Sequence, residues 1–162
     1  MITRRQKGTT TVEFAIVAAV VLTMIFGVLE IGRGYYVYAM LDDVARRGAR
    51  LAAVCPIDDP AIAQMAIYND SGNASDSPLV NGLTPGHVVI DYLDDNNGVV
   101  MTPTDPIQFG EIRYVRARVI DYSHTIIAPF VGGGTSIQMP EFVSILPRES
   151  LGIPREGAVT PC

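Results

Sequence analysis

Between Glu13 and Glu30 the chain runs for 16 residues, 14–29, without a charged side chain, and Arg4, Arg5 and Lys7 stand just ahead of it. A helix that is apolar all round cannot face water on any side, so such a run must be buried or lie in lipid. It spans about 24 Å at ~1.5 Å per residue, slightly short of the roughly 20 residues that cross a bilayer. Adding residues 9–12 and 31–34 supplies the length and sets Glu13 inside the membrane edge. A carboxylate there is costly unless it finds a partner, which makes it a candidate functional group. The basic leader holds the N-terminus in the cytoplasm, the side on which Lys and Arg are retained.

Tyr35, Tyr36 and Tyr38 follow, where aromatics favour a membrane–water interface. Gly27, Gly32 and Gly34 weaken a soluble helix by about 1 kcal/mol each, yet in lipid small residues let another backbone approach. Near Tyr38 the pattern turns amphipathic. Val37, Leu41, Val44, Gly48 and Leu51 recur at helical spacing and predict one buried stripe. Asp42–Arg46 and Asp43–Arg47 are i,i+4 pairs worth a few tenths of a kcal/mol each on the opposite side. Pro56 stops the helix soon after Val54. The expectation is one helix over residues 9–54, about 69 Å long at ~1.5 Å per residue, half membrane and half domain spine.

The leader, Gly8, and Glu13-Phe14 five and six places beyond it resemble the type III signal sequence of type IV pilins. Val12-Glu13-Phe14-Ala15-Ile16-Val17 and Phe26-Gly27-Val28-Leu29-Glu30-Ile31-Gly32-Arg33 are similar to the TadE-like family, minor pilins or pseudopilins of the Flp/Tad pilus assembly system. The resemblance covers residues 4 to about 54. It implies cleavage after Gly8 by a prepilin peptidase and a new amine on Thr9, open to methylation. It also implies that Glu13 and Phe14 serve assembly, the Glu13 carboxylate of one subunit meeting the Thr9 ammonium of a neighbour and setting register. Glycine suits the cleaved bond, because its missing side chain lets the backbone enter a narrow site. The implied partners are the peptidase, other minor pilins, the major Flp pilin, the inner-membrane assembly platform and membrane lipid. Two positions depart from the pattern. Thr9 replaces the phenylalanine usual at the first mature position of larger type IV pilins. Ala19 stands where many relatives carry proline, which leaves the helix less kinked.

The 162 residues suffice for one anchor and one small domain. Net charge is −5; removing residues 1–8 takes three of the 12 basic residues and leaves nine arginines against 17 acids, or −8. An acidic chain with scattered arginines argues against nucleic acid as a partner. Cys55 and Cys162 each adjoin a proline and lack the spacing of a metal or redox motif. An oxidising periplasm would let them pair and tie the tail to the top of the helix; the other outcome is two unpaired thiols.

Beyond the helix, residues 61–68 read as a short helix with Asp59 as cap and Pro60 at its first position. Residues 69–78 are a polar loop containing two glycosylation-type sequons, at Asn69 and Asn73, which read as plain loop residues. Residues 88–93 predict a strand, Asn97-Gly98 a hairpin turn, and 99–102 a return. Residues 111–122 predict the longest strand, with Val115, Ala117 and Val119 on one face and Arg116 and Arg118 turned to solvent or a partner. Residues 124–130 suggest a helical turn ended by Pro129, and Gly132–Gly134 a loop. Residues 136–146 read as a strand interrupted at Pro140, which suits an edge or a bulge. Residues 147–162 form a Pro/Gly-rich tail, held if Cys162 is bonded.

No catalytic set emerges. A calcium loop with Gly98 as its turn glycine would need an oxygen ligand five places before it and a glutamate six places after; Leu93 and Thr104 stand there. His87 and His124 have no ligand or triad partner at sequence spacing, and residues 132–134 lack the lysine of a phosphate loop. Glu30 and Arg33, at i,i+3, neutralise each other near the outer face. The expected fold class is α+β, pilin-like: a leader over 1–8, a transmembrane helix over 9–34, its amphipathic continuation over 35–55, and a periplasmic domain over 56–162 with a small antiparallel sheet. The expected function is non-enzymatic and without cofactor: a minor pilin or pseudopilin in the inner membrane. A single-pass anchored periplasmic binding module and a type II secretion pseudopilin are the alternatives. A tethered hydrolase lacks nucleophile and base spacing, and a signal peptide ending near residue 34 would have a poor cleavage site.

Overall fold

The apolar run and the amphipathic stripe join in a single helix, α1 (Thr9–Val54), in a computed structural model that describes residues 9–68, 79–129, 132–153 and 162. The chain divides into two units, one of residues up to Tyr36 with Ser123–Ile137, the other of Val37–Tyr122 with Gln138–Cys162. The leader, Gly8 and the loop at 69–78 lie outside the described residues. The class is α+β, as the sequence predicts.

In the larger unit, α1 packs on a three-stranded antiparallel sheet of order β1 (Val88–Leu93), β2 (Tyr114–Val119), β5 (Phe142–Pro147). Pairing runs Val88↔Val119 to Leu93↔Tyr114 on one side of β2 and Tyr114↔Pro147 to Val119↔Phe142 on the other. This register puts Val115, Ala117 and Val119 on the buried face, as their alternation with arginine requires. The helix answers with Val37, Leu41, Val44, Ala45, Gly48, Ala49, Ala52 and Ala53. Leu51 is only half-buried; the alanines carry the stripe instead. A Cβ on Gly48 would lie 3.4 Å from Ala117 Cβ, so helix and sheet approach closely there. On one side of that approach Leu41, Val44, Val88, Val119, Tyr122 and Phe142 form a core cluster; on the other, Ala52, Ile62, Tyr92, Ile112 and Val115 form a second. The short helix α2 (Ala61–Tyr68) lies where the sequence puts it, with Asp59 Oδ1 accepting from the Ala61 amide at 2.9 Å.

The end of α1 is closed by the tail. The amides of Glu149 and Leu151 donate to Ala53 O at 3.1 and 3.2 Å, and the Gly152 amide to Val54 O at 2.7 Å. Ser150 Oγ donates to Val54 O at 3.1 Å. Terminal helix carbonyls have no partner within the helix, and these bonds satisfy two of them. Gly152 sits at φ +78, with Pro56 2.7 Å from where a Cβ would be, so only glycine fits. Cys55 and Cys162 are disulfide-bonded across 107 residues. A loop of that size contributes up to about 4–5 kcal/mol in the chain-entropy account. The tail is therefore held by backbone bonds as well as by Cys162.

Four details differ from the sequence reading. The hairpin turn at residues 94–98 forms, with Asn97 at φ 61, but its return is only a bridge from Val99 to Leu93 and a Val100–Tyr92 backbone bond of 2.8 Å. Pro103 has no amide to extend the pairing. The chain turns instead into the short helix α3 (Pro106–Phe109), capped by Asp105 Oδ1 accepting from the Ile107 amide at 2.8 Å. The long strand is trimmed to Tyr114–Val119, ending before Asp121, whose φ is 57. Arg116 and Arg118 are not simply open to solvent but partly buried on an acid of their own sheet. Both reach Asp91 on the neighbouring strand, at 2.8 and 2.7 Å, and Arg118 also meets Glu141 at 3.3 Å. The Asp91 carboxylate beside it holds the Arg118 guanidinium above its ordinary pKa. Finally, His124 and Thr125 lie in a strand, not a helical turn: β3 (Ser123–Thr125) pairs with β4 (Ser136–Gln138), residues 126–129 follow without helix, and Phe130 lies outside the described residues. The break at Pro140 separates β4 from β5, and the two belong to different sheets.

Gly48→Ala should leave stability within about 1 kcal/mol, because the added methyl makes ordinary contacts and alanine favours helix. Gly48→Leu should cost about 1–3 kcal/mol by overpacking; thermal unfolding in detergent separates the two. Tyr92 is 3% exposed, and among the described residues its hydroxyl lacks a well-formed hydrogen bond. Burial pushes its pKa from 10.0 up to about 12; the nearby Asp58 amide offsets this in part, and the Asp58 and Asp59 carboxylates add to it. The folded state thus holds this proton more tightly than the unfolded chain. The resulting stability is complete below pH 10 and is lost as pH rises toward 12. Spectrophotometric titration should show one late tyrosine, absent in Tyr92→Phe.

Candidate functional site

The smaller unit carries the residues that the sequence marks for function. Thr9 opens α1, and one turn later Glu13 and Phe14 stand on an exposed surface, Phe14 at 73%. Thr10, Glu13, Phe14 and Val17 line a shallow apolar groove. Among the described residues Glu13 makes no hydrogen bond or ion pair, so any partner for its carboxylate must come from elsewhere. No residue in the most apolar 18-residue window of α1 is buried within the protein. The helix is long and apolar enough to cross a membrane. Space is open within 4 Å of a Cβ at Gly27, Gly32 and Gly34, so no packing inside the chain calls for glycine there.

A second site sits where the charge-free run ends. Arg33 Nε donates to Glu30 Oε1 at 3.1 Å, and Arg33 Nη2 donates to both Glu30 Oε1 and the Thr125 carbonyl. The other carboxylate oxygen, Glu30 Oε2, accepts from the Ala128 amide at 3.1 Å. His124, 5% exposed, brings Nε2 to 3.5 Å from Glu30 Oε1 without a hydrogen bond. One i,i+3 ion pair on the helix thereby grips the hairpin of β3 and β4 by a carbonyl and an amide. Next to this clasp, Phe26, Leu29, Ile127, Ala128 and Pro129 line an almost wholly apolar depression.

The sequence exposes the Glu30–Arg33 pair through its spacing, but not His124, Thr125 and Ala128, which lie more than 90 residues away. The available signal is compositional: the chain carries no Asp, Glu, Lys or Arg over residues 122–140. Chemically the clasp is an ion pair tied to the backbone by one further bond from each partner, an arrangement that suits charged groups near a low-dielectric boundary. Cys55 and Cys162 belong to the larger unit and play no part in either site.

Among known proteins, the family model described as TadE-like protein matches residues 8–50, the stretch on which the resemblance rests. It spans the first turn of α1 through most of the buried stripe. No curated protein and no solved structure matches the chain.

If Glu30 holds the hairpin, Glu30→Ala should speed hydrogen exchange at the Ala128 amide by roughly an order of magnitude. Exchange at Val115, in the sheet, should not change. Equal rates at Ala128 in both proteins would show that the clasp contributes nothing.

Proposed function

We propose that this chain is a minor pilin or pseudopilin of a Flp/Tad-type pilus, anchored in the inner membrane by α1 with its C-terminal domain in the periplasm. The observation that carries the reading is an overlap. The TadE-like match, residues 8–50, covers the part of α1 whose apolar side chains are exposed rather than packed. The Cys55–Cys162 disulfide suits an oxidising compartment.

A prepilin peptidase cuts after Gly8 at the cytoplasmic face and removes the leader cations. The new ammonium on Thr9 stands at the edge of the lipid, where an isolated charge is costly. Glu13 of a neighbouring subunit offers the opposite charge, and the pair forms only when the two helices stand at one axial offset. Phe14 and the residues beyond it then pack helix against helix, with the bare backbone at Gly27, Gly32 and Gly34 permitting close approach. The other minor pilins, the major Flp pilin and the inner-membrane platform are the partners of this step. The chain is not an enzyme in this role and uses no cofactor; it is the peptidase's substrate and the assembly's building block.

N-terminal sequencing of membrane-extracted protein, produced with and without the peptidase, tests the processing. A mature end at Thr9 that depends on the peptidase is expected; a retained leader in both would favour an uncleaved anchored module. Glu13→Ala should be cut as well as the parent yet assemble poorly. Normal pilus numbers in that variant would remove the proposed register role.

A further inference from the structure

The longest stretch of the chain without a charged residue is not in α1. It is residues 122–140, 19 residues against the 16 of 14–29, in a chain where 18% of residues are charged. The hairpin of β3 and β4 lies within it, and its contacts give it a direction along the helix. The Thr125 carbonyl is level with Arg33, the Ala128 amide is level with Glu30, and Ile127, Ala128 and Pro129 lie beside Phe26 and Leu29. Between Arg33 and Phe26 the helix falls by about 10 Å. The hairpin thus advances toward the N-terminus of α1, past the last charges and onto the apolar run. Ile127, at 68% exposure, and Pro129 face outward at that level.

We infer that this hairpin is a second membrane contact, seating residues 126–129 in the interface of the leaflet on the domain's side. The inference rests on the reading that α1 spans the bilayer. Given that span, any surface level with Phe26 and Leu29 is surrounded by acyl chains or headgroups, since these residues lie within or beside the 20 or so that cross. Lipid is the occupant that this position dictates, and the hairpin has no charged side chain to oppose it. Irregular backbone is excluded from the hydrocarbon centre but not from the interface. The hairpin meets that limit: Ile126 N donates to Thr135 O and Gly134 N to Ile126 O, both at 2.8 Å, and the Ala128 amide is held by Glu30. The clasp also balances Glu30 with Arg33, so no net charge enters with it.

The chain has no tryptophan, so one can be placed at will. Ile127→Trp, Leu22→Trp and Met101→Trp are each made in the full chain and reconstituted in vesicles of phosphatidylethanolamine and phosphatidylglycerol. Leu22 reports the anchor, and Met101, 83% exposed in the larger unit, reports water while carrying the same tryptophan bias toward interfaces. The expected result is blue-shifted Ile127→Trp emission that loses more intensity to lipids brominated near the headgroup than to deeply brominated ones. Leu22→Trp should show the reverse depth order, and Met101→Trp should respond to acrylamide alone. If Ile127→Trp behaves like Met101→Trp while Leu22→Trp is quenched by lipid, the hairpin contact is overturned and the anchor stands. If Ile127→Trp is blue-shifted but quenched by neither lipid nor acrylamide, a protein surface covers the hairpin and the lipid contact is again overturned. If Leu22→Trp itself escapes lipid quenching, the anchor reading falls and the hairpin contact falls with it.

Discussion

One helix has to satisfy two solvents. Over residues 14–29, α1 carries no charged side chain, and nothing in its most apolar window is buried; from Val37 onward it offers a narrow stripe, much of it alanine and glycine. These are opposite demands. Lipid takes bulky side chains on every side, whereas a sheet wants one flat face with little standing out from it. Ala45, Gly48, Ala49 and Ala52 supply that flat face, and Ala117 on β2 matches it from the other side. The larger side chains are displaced to either side of the contact, giving two core clusters rather than one.

The change of solvent falls near Glu30 and Arg33, and it is there that charge has to be managed. A lone pair of charged side chains on a lipid-facing helix would leave donors and acceptors unmatched. The β3–β4 hairpin brings a carbonyl to Arg33 and an amide to Glu30 and so supplies a further partner to each. At the other end Glu13 has no such provision among the described residues. The two acids thus differ: among the described residues one is held by its own chain, and the other has no partner. Under the proposed role this difference is functional, because only the unmatched acid can direct a neighbour. The hairpin also covers the Phe26–Arg33 side of α1, so lateral association must use the remaining faces at that level.

Much of this was legible in the sequence because it is periodic or local. The span of α1, its stop after Val54, α2 with Asp59 ahead of it, β1 and the alternation in β2 all follow from spacing. What was not legible is pairing at long range. Arg116 and Arg118 read as outward-facing because they alternate with Val115, Ala117 and Val119; their acid, Asp91, is brought by strand register. The sequence offers only Cys162 to hold the tail, because its glycines and prolines have no period, yet residues 149–152 also close the end of α1. Residues 124–130 read as a helical turn because a short apolar run has no period of its own, and the pairing of β3 with β4 decides the matter. For Gly8 the sequence is the only guide, and for Glu13 the structure adds exposure without naming a partner.

The central claim is that the apolar run of residues 14–29 meets lipid or sister helices and is not shielded in the core of its own domain. Alkaline carbonate extraction of membranes from cells producing the full chain tests it most directly. The account predicts that the chain stays with the membrane pellet and is released only by detergent. Recovery of the full-length protein as a folded, freely soluble monomer, with residues 14–29 shielded inside its own core, would contradict it.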